Sequence, residues 1–108
     1  MELNTKILIA DENVEQRNFL KENLFRAGYR NVDIAKDGED AFLKISRNHP
    51  DVAIVDVWLT KLDGIGILRN ARTLDFGKDI PTAFILVSAV PNQNLFIEAT
   101  SLGAQLCL

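Results

Sequence analysis

At 108 residues the chain has the size of one domain, 1–108, with room for a single buried core. Its 47% apolar and 25% charged residues are those of an ordinary globular protein, and a formal net charge of −3 offers no extended positive surface for nucleic-acid phosphates or anionic lipid. Cys107, the only cysteine, excludes an internal disulfide and a cysteine-based zinc site. The start, Met-Glu-Leu-Asn-Thr, has no basic stretch followed by an apolar run, and no segment approaches the roughly 20 apolar residues of a membrane helix, so a cytoplasmic protein without membrane contact is expected.

Lys6 to Ala10 is a short apolar run that predicts the first strand. Leu20, Leu24 and Ala27, flanked by Val14 and Phe25, then recur at helical spacing until Gly28 ends the segment. Val32 to Ala35 predicts a second strand, and Gly38 to Asn48 a helix with Ala41, Phe42 and Ile45 on one side. His49-Pro50-Asp51 ends that helix, because the residue before proline is pushed out of the α region. Val52 to Val57 and Thr82 to Val87 are continuously apolar, the pattern of strands covered on both faces. Between them Ile67, Leu68, Ala71 and Leu74 mark a helix over Ile65 to Leu74. Leu95, Ala99 and Leu102 mark another over Asn92 to Leu102, and Gln105 to Leu108 is a candidate fifth strand.

Alternating strands and helices with right-handed crossovers predict a doubly wound α/β fold around a parallel sheet. The chain ends on Leu108 with no helix after the last strand, and it is expected to be cut short there.

In such sheets the chemistry lies beyond the carboxyl ends of the strands. The first strand is followed by Asp11-Glu12, the third ends on Asp56, and the fourth is followed by Ser88-Ala89. Three carboxylates brought together resist ionisation unless a cation sits among them, and oxygen ligands without histidine or thiol favour Mg²⁺. Such an ion can screen an incoming phosphoryl group while a carboxylate attacks it, giving an acyl phosphate. The structural alternatives stay open: Asp11 and Glu12 can serve as helix-opening acids, Asp56 as a first loop residue and Ser88 as a strand-terminating polar group. Asp63-Gly64 is a turn signal, His49 a surface residue at a helix end and Cys107 a small buried hydrophobe.

The acidic pair, Ile54-Val55-Asp56 with Asp63-Gly64 downstream, Val87-Ser88-Ala89 and Leu102-Gly103-Ala104 together resemble the receiver (response-regulator, CheY-like) family over nearly the whole chain. Asp63 to Leu68, Ser88-Ala89-Val90 and Leu102-Gly103-Ala104 are also similar to the receiver of the sporulation-initiating transcription factor of spore-forming bacteria. The resemblance implies a flavodoxin-like five-stranded sheet in the order 2-1-3-4-5. It implies that Asp56 accepts phosphate from a histidine kinase or phosphotransfer protein. Asp11, Glu12, Asp56 and the main-chain carbonyl of Trp58 would hold Mg²⁺, and Ser88 would be the hydroxyl that moves onto the phosphate to switch a surface around the fourth helix. Such a chain catalyses at most its own phosphorylation and dephosphorylation.

Four departures from the family pattern stand out. Glu12 replaces the usual second Asp, and Leu59-Thr60 stands where a proline is usual, so the loop after Asp56 is expected to be looser. Cys107 stands at the aromatic switch position, and the family's lysine would fall past Leu108. Without a fifth helix the sheet is expected to keep an apolar flank, giving a marginally stable monomer or self-association. The alternative function is a degenerate receiver that is never phosphorylated and acts as a protein-interaction module. A haloacid-dehalogenase-type enzyme needs a second Asp where Trp58 stands, and a dinucleotide-binding fold needs glycines where Asp11-Glu12-Asn13 stands.

Overall fold

The chain, described here by a computed structural model, is defined for residues 3–73, 82–88, 93–104 and 106–107. Its elements follow the expected alternation: β1 (Ile7–Ala10), α1 (Val14–Arg26), β2 (Val32–Ala35), α2 (Gly38–Asn48), β3 (Val52–Asp56), α3 (Gly64–Thr73), β4 (Ala83–Val87), α4 (Gln93–Ser101) and β5 (Leu106–Cys107). Leu74, Ala89, Val90, Asn92, Gln105 and Leu108 lie outside the described residues, as do the side chains of Leu95 and Cys107. The strands form one parallel sheet in the order β2-β1-β3-β4-β5.

One face of the sheet is dry. Leu8, Ala10, Ala53, Val55, Phe84 and Leu86 point into it and pack with Ala41 and Ile45 of α2, Ile67, Leu68 and Ala71 of α3, and Ala99 of α4. Side chains alternate across a strand, so Ile7, Ile9, Ile54 and Ile85 project from the other face. There α1 runs along β1 and β2. It seals Ile7 and Ile9, whereas Val52, Ile54, Ile85 and Val87 remain only half-buried.

That alternation corrects the expectation that β3 and β4 are covered on both faces, and it agrees with the apolar flank expected of the sheet. An apolar run records what a strand tolerates, and the covering depends on which helix lies beside it. The α1 stripe is weaker than expected for the same reason: Leu20 and Leu24 are half-buried, Ala27 is exposed as the C-cap, and no α1 residue is fully buried. Phe19 is 58% exposed.

Helix ends are closed locally. The Asn13 side chain accepts from the Gln16 N–H to cap α1, and the Gly28 and Tyr29 N–H groups bond back to the carbonyls of Phe25 and Leu24. Asp37 caps α2 by accepting from the Asp40 N–H at 2.8 Å. His49 ends α2 as a left-handed C-cap, at the edge of the sheet away from the carboxyl strand ends.

The first residue of α2 is in backbone contact with the chain after β3. A Cβ on Gly38 would lie 1.6 Å from the Leu62 carbonyl oxygen, while the Gly38 N–H donates to Thr60 O at 3.0 Å. No side chain fits there, and what it would strike is backbone. Gly38→Ala is therefore expected to destabilise the protein by about 2–3 kcal/mol, a fall of roughly 10 °C or more in unfolding midpoint. At Gly66 the nearest atom is the flexible Leu62 Cδ1 at 2.8 Å. Gly66→Ala should stay within about 1 kcal/mol of the parent in the same thermal unfolding experiment.

Candidate functional site

Strand register creates the site. Ala10 pairs with Val55, so the next residues on the two strands, Asp11 and Asp56, emerge side by side. Asp56 pairs in turn with Val87, so Ser88 follows at the end of β4. Two carboxylates and a hydroxyl are thus delivered to one edge of the sheet by hydrogen-bond ladders.

Asp11 is 6% exposed. Its N–H donates to Ala35 O at 3.2 Å and its Oδ1 accepts from the Asn13 N–H at 2.9 Å. Burial raises its carboxyl above the ordinary carboxylate range, and the neighbouring Asp56 charge pushes in the same direction. The Asn13 N–H and the Arg17 guanidinium oppose that shift. Arg17 also donates through Nη1 to Asp11 O at 3.0 Å.

Glu12 follows a different course. Its Oε1 accepts from the Thr60 N–H, and hydrogen bonds from Thr60 hold its carboxyl below the usual range. It therefore anchors the β3–α3 loop. Among the described residues no three acidic, histidine or cysteine side chains stand close enough together to enclose an ion. Asp11 and Asp56 remain as a facing pair. A buried carboxylate beside a like charge is a donor set that suits a hard, oxygen-seeking cation retaining several waters.

Trp58 touches both halves of the site. Its main-chain N–H donates to Asp56 Oδ1 at 3.0 Å, and its indole Nε1–H donates to Ser88 Oγ at 3.0 Å. The ring is 51% exposed.

The loop after Asp56, expected to be looser, carries several ties. The Val57 N–H donates to Val87 O and the Gly64 N–H to Val57 O, each at 2.9 Å. Thr60 is held by Glu12 and Gly38, and Lys61 Nζ lies 3.4 Å from Asp37 Oδ2. Lys61 has φ 68 and is the middle residue of a tight turn closed by the Leu62 N–H on Thr60 O at 2.8 Å. That backbone region is costly for a side-chain-bearing residue, and it persists because the surrounding contacts determine it. The Asp40 N–H, and then Lys61, hold the Asp37 carboxyl below its ordinary range.

A Cβ on Gly64 would come within 2.9 Å of Asp56 O and 2.8 Å of Val57 Cα, so α3 begins against the backbone of Asp56 itself. Asp63 caps that helix, its Oδ1 accepting from the Gly66 N–H at 2.8 Å. Its expected role as a turn residue thus includes a defined helix start.

Thr60, Arg17, Asp37 and Lys61 were not singled out by the sequence reasoning. A hydroxyl residue within a short loop was the available signal for Thr60, and the Asp-Gly-Glu-Asp run from Asp37, an N-cap followed by acids, was the signal for Asp37. Arg17 and Lys61 left no periodic or motif trace.

The family model described as response regulator receiver domain matches residues 7–108. The chain is 35% identical over 105 residues to the probable transcriptional regulator ycf27 of Cyanophora paradoxa, covering 96% of this chain and 41% of the relative. It is 30% identical over 100 residues to the chemotaxis protein CheY of Bacillus subtilis, covering 93% of this chain and 80% of that one. Among solved structures, the CheX-CheY-BeF3-Mg²⁺ complex from Borrelia burgdorferi superposes with a TM-score of 0.84 at 27% identity, over 96% of this chain and 76% of that one. The chain thus spans less than half of the ycf27 relative but most of the chemotaxis protein.

The Asp11 shift sets a sign for pH dependence. A carboxyl whose value is raised by folding binds its proton more tightly in the folded state, so its contribution to stability falls as pH rises from the ordinary value, 3.8, through the raised one. Asp11→Asn keeps the acceptor for the Asn13 N–H and removes the charge. In thermal unfolding from about pH 4 to 8 without divalent cation, its advantage over the parent should be absent at the acidic end, grow through that window and then level off. An advantage equal at both ends contradicts the assignment.

Proposed function

The chain belongs to the response regulator receiver domain family, a family of signalling modules, and from that premise we propose that it is a phospho-accepting switch with Asp56 as the acceptor. The observation that carries this reading is the alignment of Asp11, Asp56 and Ser88 on the carboxyl ends of three adjacent strands, with Trp58 joined to both Asp56 and Ser88.

The chemistry follows from the groups. An Asp56 oxygen attacks the phosphorus of a phosphohistidine on a histidine kinase or phosphotransfer protein. The new O–P bond forms as the P–N bond breaks, and the imidazole leaves with the electron pair and takes a proton. Mg²⁺, held by Asp11, Glu12, Asp56 and the main-chain carbonyl of Trp58, would neutralise the phosphoryl oxygens as the group is transferred. Glu12 joins that set only by giving up its Thr60 contacts. A neighbour whose name includes BeF3 and Mg²⁺ supports the ion's relevance to this fold.

The acyl phosphate carries roughly −1.5 to −2 charge at pH 7 in place of the single charge of the carboxylate. The Ser88 hydroxyl then donates to a phosphoryl oxygen, and its displacement biases the surface of α4 between two arrangements. We place the switch in the cytoplasm, with its phosphodonor as principal partner. The half-buried Ile54 and Ile85 face supports self-association as a second contact.

Incubation with a small acyl phosphate and Mg²⁺, followed by intact-mass measurement, tests the acceptor. The parent should gain one phosphoryl group and Asp56→Asn none. Equal labelling of both would remove Asp56 from its role. A parent that takes no label under conditions where it binds the cation would favour the non-phosphorylated interaction module.

A further inference from the structure

Trp58 is hydrogen-bonded to both the Asp56 carboxylate and the Ser88 hydroxyl. The two bonds come from different parts of it. The main-chain N–H is fixed by the loop, which is itself pinned through Val57 to β4 and through Gly64 to Val57. The indole N–H is a donor with no acceptor capacity, so the 3.0 Å contact uses a lone pair of Ser88 Oγ and holds that oxygen at a set distance from the loop.

Building on the acceptor role argued above, we propose that Trp58 is a positioning residue whose indole N–H latches Ser88 in the unphosphorylated arrangement. Movement of Ser88 toward a phosphoryl group on Asp56 stretches the Nε1···Oγ contact, because the indole is tethered to a loop that does not follow. The latch is weak by construction. The ring is half-exposed, so water competes for the indole N–H, and a single neutral hydrogen bond in such a setting shifts an equilibrium by roughly two- to tenfold.

Weakness is what a switch of this kind requires. A bond worth much more would hold Ser88 against the phosphoryl group, while its loss removes one restraint on the hydroxyl before phosphorylation. The same contact makes the indole a reporter of the state of Ser88.

The test is a double-mutant cycle on the intact chain with Trp58→Phe, which keeps an aromatic ring and removes the donor, and Ser88→Ala, which removes the acceptor. Labelling rates with a small acyl phosphate in Mg²⁺ are measured for parent, single and double variants, with unfolding midpoints confirming that each is folded. The NMR resonance and exchange protection of the indole proton are compared in the parent and Ser88→Ala. The latch predicts that Trp58→Phe is labelled two- to tenfold faster than the parent, that the same change has no effect in the Ser88→Ala background, and that Ser88→Ala exposes the indole proton to exchange. An unchanged rate in Trp58→Phe, the same acceleration in both backgrounds, or an indole proton indifferent to Ser88→Ala overturns the latch while leaving Asp56 as acceptor. Absence of label on the parent overturns the acceptor reading, and the latch with it.

Discussion

The burial of one carboxylate beside another governs this structure. Asp11 is placed by the β1–β3 register next to Asp56, in surroundings that disfavour its charge. A fold optimised for stability alone would put neutral side chains there, since a buried carboxylate facing a like charge is costly even with the Asn13 N–H and Arg17 beside it. Tolerating it leaves a place that gains from a cation. The ties among Glu12, Thr60, Gly38, Asp37 and Lys61 keep that edge in shape despite the repulsion, and they extend through the loop to the start of α3.

The same loop connects Asp56 with β4 and with the start of α3. Gly64 lies against the Asp56 carbonyl, and Trp58 reaches from the loop to Ser88 on β4. A change in charge at Asp56 therefore acts on groups already in mechanical contact with it, and no long chain of side chains is needed to carry it to β4. Lys61, in a left-handed turn held by its neighbours, marks the loop as a place where local backbone preference gives way to these contacts.

Much of this was legible in the sequence because two signals are strong. Short β-branched runs alternating with helical periodicity located the elements within a residue or two, and the rule that ligands sit beyond carboxyl strand ends singled out Asp11, Asp56 and Ser88. Side-chain partnerships that depend on the path of a loop were not legible. Nothing in Leu59-Thr60 says that Thr60 turns its N–H to Glu12, and nothing in Trp58 says that its indole reaches across to Ser88. Coverage was read in part: the apolar runs of β3 and β4 suggested two dry faces, while the apolar flank expected of the sheet agrees with α1 lying over β1 and β2 and Ile54 and Ile85 being half-buried. Periodicity reports which face of an element is apolar, and the extent of its burial depends on neighbours that periodicity does not encode.

The claim on which the rest depends is that Asp11 and Asp56 form a pair suited to a hard cation. A Mg²⁺ titration of the parent and of Asp11→Asn, followed through Trp58 fluorescence with calorimetry alongside, measures it directly. The account predicts a saturable change in the parent and binding at least about tenfold weaker in the variant, a difference of about 1.4 kcal/mol. Binding that is equal in both proteins, or absent from both by either method, would contradict it.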